Sequence, residues 1–288
     1  MVNEQPWIVL LPVVLDLFFL FGPRVSIAPV VSQVVSTPFF AQAFGPDARG
    51  PAIAFAEEAN LLGLLSPGGL TLPTVVPLLG IARGSFTMID SAGSVVLIAL
   101  GAVLLGAFLG CVYRSILAQQ AREGELTAQR LPGQSVVAWY RVILLTLLLL
   151  AVGFLVILPL AFIAAVASLV TGAATVLMTA IVTTLALAAQ FYLFFAPDAI
   201  FVSQVVPIQA IRRSAAVVHA GVWSALTLAI LVTVIMIGTG QVWVMLASQA
   251  SWGLALGIVG NAYIASGLAA ATMLFYRERM ESLLAQRS

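Results

Sequence analysis

The chain has 288 residues, of which 62% are hydrophobic and only 8% charged, against about a quarter charged in an ordinary soluble domain. A chain so poor in polar side chains cannot cover itself toward water, so lipid is the expected solvent for its excess apolar area. A formal net charge of +1, with all 12 basic residues arginine, gives no basic field for nucleic acid and no acidic field for cations.

Crossing a hydrocarbon core of about 30 Å takes about 20 apolar residues in a helix. The first candidate, Trp7 to Phe21, is short and interrupted by Pro12 and Asp16, with Trp7 and Arg24 as interfacial anchors. Glu4 and the lack of Lys or Arg before Trp7 argue against a cleavable signal peptide, so this stretch is expected to stay in place. Residues 25–90 change character: prolines at 29, 38, 46, 51, 67, 73 and 77 and the Gly68-Gly69 pair mark a long connection. A helix over Ala52 to Leu65, turns from Ser66 to Pro77, and short helices on the bilayer or capping the bundle are expected there; a re-entrant segment would fit between Ala52 and Ile81.

The clearer spans follow. Ala92 to Tyr113 ends in Arg114, with Arg122, Glu123, Glu125 and Arg130 beyond it. A third span runs from Trp139 to about Val170, and Pro159 inside it is expected to kink it. Thr171-Gly172 then reverses the chain into a fourth, Ala173 to Phe195. Val222 to Leu246 and Leu254 to Tyr276 are the fifth and sixth, and Arg277 to Ser288 is a polar tail. The pattern predicts an all-α polytopic bundle of about six spans, divided into residues 1–24, a Pro-rich extracytoplasmic loop over 25–90, a five-span bundle over 91–279 and a tail over 280–288. Arginines crowd the links between spans two and three and between four and five, and the tail, whereas the links three to four and five to six hold none. The positive-inside rule then places both termini in the cytoplasm and the long loop outside.

Pro207 can open a helix and Gly221 can end it, with Ile208, Ile211, Ala215 and Val218 at helical spacing between them. This is expected to be a short amphipathic elbow helix on the cytoplasmic face, its Arg212 and Arg213 at the lipid headgroups, where anionic lipid contributes on the order of 1 kcal/mol per arginine. Pro132, Gln134, Val136, Val137, Trp139 and Tyr140 repeat the layout before span three and predict a second elbow, hence a pseudo-repeat.

Few residues point to chemistry. His219 is the only histidine and Cys111 the only cysteine; this excludes a two-histidine metal site, a disulfide within the chain and a multi-cysteine cluster. No catalytic set, cofactor site or metal site is expected. Asp16 is the one carboxyl group well inside an apolar run, and two readings stand: a proton or ion site, or a carboxyl hydrogen-bonded inside the bundle. Gln190, Gln241 and Asn261 read as interhelical hydrogen-bond formers, and Gly106 with Gly110 as a close-packing pair.

The run Phe194-Phe195-Ala196-Pro197-Asp198-Ala199-Ile200, then Ile208-Gln209-Ala210-Ile211-Arg212-Arg213-Ser214, Gly221-Val222-Trp223, Ala262-Tyr263 and Leu274-Phe275-Tyr276 resembles the membrane-domain family of glycerophosphoryl diester phosphodiesterases and its stand-alone bacterial relatives. The likeness covers roughly Ser91 to Arg279. It implies a six-helix membrane fold of bacterial origin without hydrolysis; the long prolyl loop departs from the family's pattern. The expected role is therefore a non-enzymatic accessory or scaffold subunit, or a lipid-contacting protein, of a bacterial cytoplasmic membrane. Its expected partners are membrane lipids and a larger membrane complex, with no nucleic acid. The alternative is a small-solute or lipid transporter using Asp16 and the breaks at Pro159 and Pro197.

Overall fold

The computed structural model describes residues 6–66, 72–79, 84–123, 127–168, 172–249 and 251–286. A 3-10 turn, Pro6–Val9, leads into α1, Leu10–Phe21. Pro12 falls in its first turn, where no backbone donor is missed, and Gly22-Pro23 stops it. The described part of the following connection holds α2 (Ala28–Val35), α3 (Pro38–Phe44), α4 (Arg49–Glu58), a 3-10 turn Leu61–Leu65 and α5 (Val76–Leu79). β1 (Arg24–Ser26) and β2 (Phe86–Met88) form a parallel two-stranded ribbon, Arg24 opposite Phe86.

The prolines here act as helix openers. Pro29, Pro38 and Pro51 each sit in a first turn, where the proline ring presets φ and its missing N–H is not needed. The helix expected over Ala52 to Leu65 is accordingly shifted to Arg49–Glu58, and extended Ala59 breaks it from the 3-10 turn. Asn60 fixes that break, its side-chain oxygen accepting from Leu62 N at 3.2 Å and from Val25 N at 3.0 Å.

The long helices are α6 (Ala92–Glu123), α7 (Leu131–Ser168), α8 (Gly172–Leu193), the short α9 (Ala196–Val202), α10 (Pro207–Ala220), α11 (Val222–Gln249) and α12 (Ser251–Ala285). The described residues are all-α apart from the ribbon, and five of the described segments are long and apolar enough to cross a bilayer: Ala92–Arg122, Leu131–Val166, Val176–Val202, Val222–Gln249 and Trp252–Ala285. In the most apolar windows of the second, third and fourth of these only 11%, 0% and 6% of residues are buried within the chain. Side chains such as Leu155, Val176 and Ile237 therefore need lipid or another apolar surface against them.

Several expectations are corrected. Pro132 to Tyr140 is no separate elbow but the first turns of α7, because nothing after Pro132 breaks the helix, whereas Gly221 does separate α10 from α11. The polar tail is helical to Ala285; its residues are good helix formers and Arg277 pairs with Glu281 one turn on at 3.3 Å. The first apolar stretch, Trp7–Phe21, is helical and short as expected, its α1 part having 12 residues, about 18 Å of helix. Pro159 lies inside α7, where the sequence places it. The reversal expected at Thr171 lies outside the described residues, as do Gly68-Gly69, Arg83, Glu125 and Arg287.

The chain forms two compact units, Met1–Tyr113 with Ile235–Leu268, and Arg114–Val234 with Ala269–Ser288. In the first, Val9 at the end of the 3-10 turn and Val13 of α1 pack on Ala262, and Tyr113 donates to Ser266 at 2.6 Å. The ribbon is tied to its neighbours by Ser26, which donates to Ala56 O at 3.0 Å, and by Arg24, which donates to the carbonyls of Glu57 and Glu58. Gly106 serves a different contact from the expected helix pair: a Cβ there would come within 2.0 Å of Leu65 O, so the glycine admits the 3-10 turn's backbone against α6. Gly106→Val is expected to lower stability by about 1–3 kcal/mol through overpacking against backbone that cannot swing aside; unchanged thermal unfolding in detergent would refute that contact. In the second unit α7 packs against α8, and α10 lies against α7, α8 and α9.

Candidate functional site

Charge is partitioned between the units. Arg114–Val234 with Ala269–Ser288 holds nine arginines against five carboxylates, net +4, while Met1–Tyr113 with Ile235–Leu268 holds three against six, net −3. The candidate site lies in the arginine-rich unit, around α10.

Pro207 opens α10 and Gly221 ends it, and a serine fixes how it sits. Ser214 donates to Tyr192 O at 2.7 Å and accepts from Phe195 N at 3.1 Å, satisfying backbone groups freed where α8 gives way to α9. The buried face is therefore Pro207, Ala210, Ser214, Val217 and Val218, turned about one residue from the expected stripe. Of that stripe Val218 is buried, Ile211 and Ala215 are partly covered, and Ile208 is 57% exposed. The outward face carries Ile208, Arg212 and His219, followed by Trp223 at 80% exposure. Arg213, next to the buried face, is partly covered and lies against the Tyr276 hydroxyl.

Beneath α10 is a buried polar network. Asp198, in the first turn of α9, is 3% exposed and accepts from Arg114 Nη1 at 3.4 Å, with Thr272 also at its carboxyl group. Arg114 lies over the Phe201 ring at 6.0 Å. Ser203 and Tyr276 share a hydrogen bond of 2.9 Å, and Phe195 stacks on Phe275 with centroids 5.4 Å apart. Arg141 donates to Gln204 O at 2.5 Å, and Gln204 itself adopts φ 51, a left-handed conformation for a non-glycine residue in the α9–α10 turn.

Three cavities open among these groups. One of about 240 Å³ is lined by Arg122, Arg141, Gln134 and Gln204; a second of about 260 Å³ by Arg122, Arg213, Arg277 and Glu281; a third of about 260 Å³ by Arg212, Arg213 and Leu284. Arg122 lines the first two and Arg213 the last two. None holds a carboxylate other than Glu281 among its described lining residues. The arrangement offers guanidinium forks to an oxyanion.

The two arginines that the sequence assigns to the headgroups thus stand at this site, Arg212 exposed and Arg213 in a cavity wall. Arg122, Arg141 and Arg277 are legible in the sequence only as orientation signals, and only the fold brings Arg122 to Arg213 and Arg277. Asp16 is in the first unit, fully buried: Oδ1 accepts from Val75 N and Val76 N, both at 2.9 Å, and Oδ2 from Val75 N at 3.1 Å. It holds the start of α5 against α1. Asn261 steadies the same segment, donating to Pro73 O at 3.3 Å, while Gln190 and Gln241 are exposed, pointing away from the chain's own packing. Cys111 is buried and His219 exposed.

No family model, curated protein or solved structure matches this chain.

Proposed function

We propose that this chain is a non-enzymatic integral protein of a bacterial cytoplasmic membrane that contacts anionic lipid and serves as an accessory or scaffold subunit. The observation that carries the reading is the outward face of α10, with an apolar residue, an arginine and a histidine on a helix whose other face is buried, followed directly by the exposed Trp223 at the start of α11. Tryptophan favours the headgroup level and arginine its phosphates. The chain-exposed apolar faces of α7, α8 and α11 leave room for a neighbouring subunit as well as lipid. The proposal includes kinship with the phosphodiesterase membrane-domain family, supported by the fact that Phe195, Asp198, Ser214 and Tyr276, which carry that resemblance, all belong to the packed core around α9 and α10. The transporter reading draws less support, because both Asp16 oxygens are taken by backbone donors.

The test is the depth and salt sensitivity of α10. In nanodiscs, Trp223 fluorescence, read as the difference between the native chain and Trp223→Phe, should be quenched by lipids brominated near the headgroup. Association of a peptide of residues 205–224 with phosphatidylglycerol vesicles should weaken with salt and with Arg212→Gln. Absence of quenching would remove α10 from the interface and the reading with it.

The topology belongs to the same proposal: Arg-rich links and C-terminus in the cytoplasm, residues 25–90 outside, and a sixth crossing by Pro6–Phe21, whose 3-10 turn and helix together amount to roughly 26 Å. Single cysteines in place of Arg49 and Arg130 should label from opposite sides of the membrane, and a fluorescent protein fused before Met1 should mature in the cytoplasm. Labelling of both cysteines from one side would defeat the topology, and a dark fusion would remove the sixth crossing.

A further inference from the structure

The cavity of about 260 Å³ lined by Arg122, Arg213, Arg277 and Glu281 is unusual in its charge. Three guanidinium groups from three helices, the end of α6, α10 and α12, are set around one space with one described carboxylate, and that carboxylate is the Nε partner of Arg277 at 3.3 Å. Glu281 is mostly exposed and Arg277 about one-third exposed, so the ion pair sits at the rim. Like charges gathered in a partly desolvated space repel one another more strongly than in water.

The chain nevertheless spends hydrogen bonds on holding them there. Arg277 Nη1 donates to Ala121 O near the end of α6, Arg122 donates to Gln134 Oε1 at 3.3 Å, and Arg213 is placed by the Tyr276 hydroxyl, itself bonded to Ser203. Ser203 lines the same cavity and adds a hydroxyl. Met280 and Leu284 form an apolar side of the same space, so a charged floor adjoins an apolar wall.

We propose that this cavity binds one phosphate group, carried by an anionic phospholipid headgroup or free in solution. Three forks and a hydroxyl suit a tetrahedral group with several oxygens better than the two oxygens of a carboxylate. The apolar wall is where the glycerol and first acyl carbons of a lipid would lie. The inference rests on the lipid-contacting reading above but is narrower, since a helix can lie among anionic headgroups without holding any one of them.

The full chain is assembled in phosphatidylcholine nanodiscs containing a minor share of phosphatidylglycerol, transferred to phosphatidylcholine micelles, and the retained phosphatidylglycerol counted by native mass spectrometry. One retained molecule per chain is expected. Arg213→Gln should lower its retention roughly tenfold, the loss of one charge-assisted bond; Arg213→Lys should lower it less, and Arg130→Gln, on an exposed residue outside the cavity, not at all. Arg277→Gln also removes the bond to Ala121, so its thermal unfolding is measured alongside, and Arg213→Gln decides if it proves unstable.

In parallel, inorganic phosphate is titrated calorimetrically into the chain in pure phosphatidylcholine nanodiscs. Retained lipid without phosphate binding assigns the site to a headgroup; phosphate binding without retained lipid assigns it to the free anion. Neither, or retention indifferent to Arg213, overturns the proposal. Trp223 quenching separates the two failures: quenched Trp223 with neither retained lipid nor phosphate binding sinks only this site, and unquenched Trp223 sinks the lipid-contacting reading as well.

Discussion

Asp198→Asn is expected to cost about 3–5 kcal/mol of stability, because it leaves the Arg114 guanidinium charged in a space that excludes water. The two side chains are 4% and 14% exposed and 3.4 Å apart. Asparagine keeps the shape and a hydrogen-bond acceptor for Thr272 but supplies no charge. The cation–π contact with Phe201 at 6.0 Å offsets only a small part of that deficit. The double variant Arg114→Leu with Asp198→Leu should recover most of the loss, since removing both members of a buried pair is often close to neutral. Unfolding in detergent, followed by tryptophan fluorescence, checks both variants. An Asp198→Asn protein as stable as the native one would mean that Arg114 is neutralised elsewhere and that α9 does not depend on the pair.

That pair also marks the limit of what the sequence discloses. The long helices are legible because lipid imposes a length and a composition that no soluble fold demands, and α6, α7, α8, α11 and α12 each begin within a few residues of where apolarity begins, except at α7, where Pro132 starts the helix early. Ends are less legible: α6 continues past Arg114 to Glu123 and α12 past Arg277 to Ala285, because arginine and glutamate are good helix formers and hydropathy registers them only as the edge of a span. Asp198 and Arg114 are 84 positions apart, and nothing in the local pattern links them. Ser214 is visible as part of a motif, yet its effect, turning α10 by about one residue and so exposing Ile208, depends on backbone groups at Tyr192 and Phe195. The arginine cavity follows the same logic: three side chains that sequence reading assigns to three separate links share one space only after α10 has been fixed.

Asp16→Ala is the second variant with a large expected effect. It would strip buried backbone N–H groups at Val75 and Val76 of their acceptor, at about 1–3 kcal/mol for each group left unsatisfied. Leu72, Val75 and Val76 are all nearly fully buried, so water cannot readily take the carboxyl's place. The loss should be local as well as global: hydrogen exchange over residues 72–79 should accelerate, because α5 has only four residues and little else to define its start. Asp16→Asn retains one acceptor oxygen, placed where Oδ1 now takes both N–H groups, and should remain close to native in exchange and unfolding. This contrast separates the two readings of the residue. A carboxyl that anchors α5 tolerates asparagine and fails with alanine; a carboxyl that carries a proton or an ion fails with both. If Asp16→Asn folds normally but abolishes transport of a solute into proteoliposomes, the transporter reading takes precedence over the scaffold, and the segment 72–79 becomes the wall of its pathway.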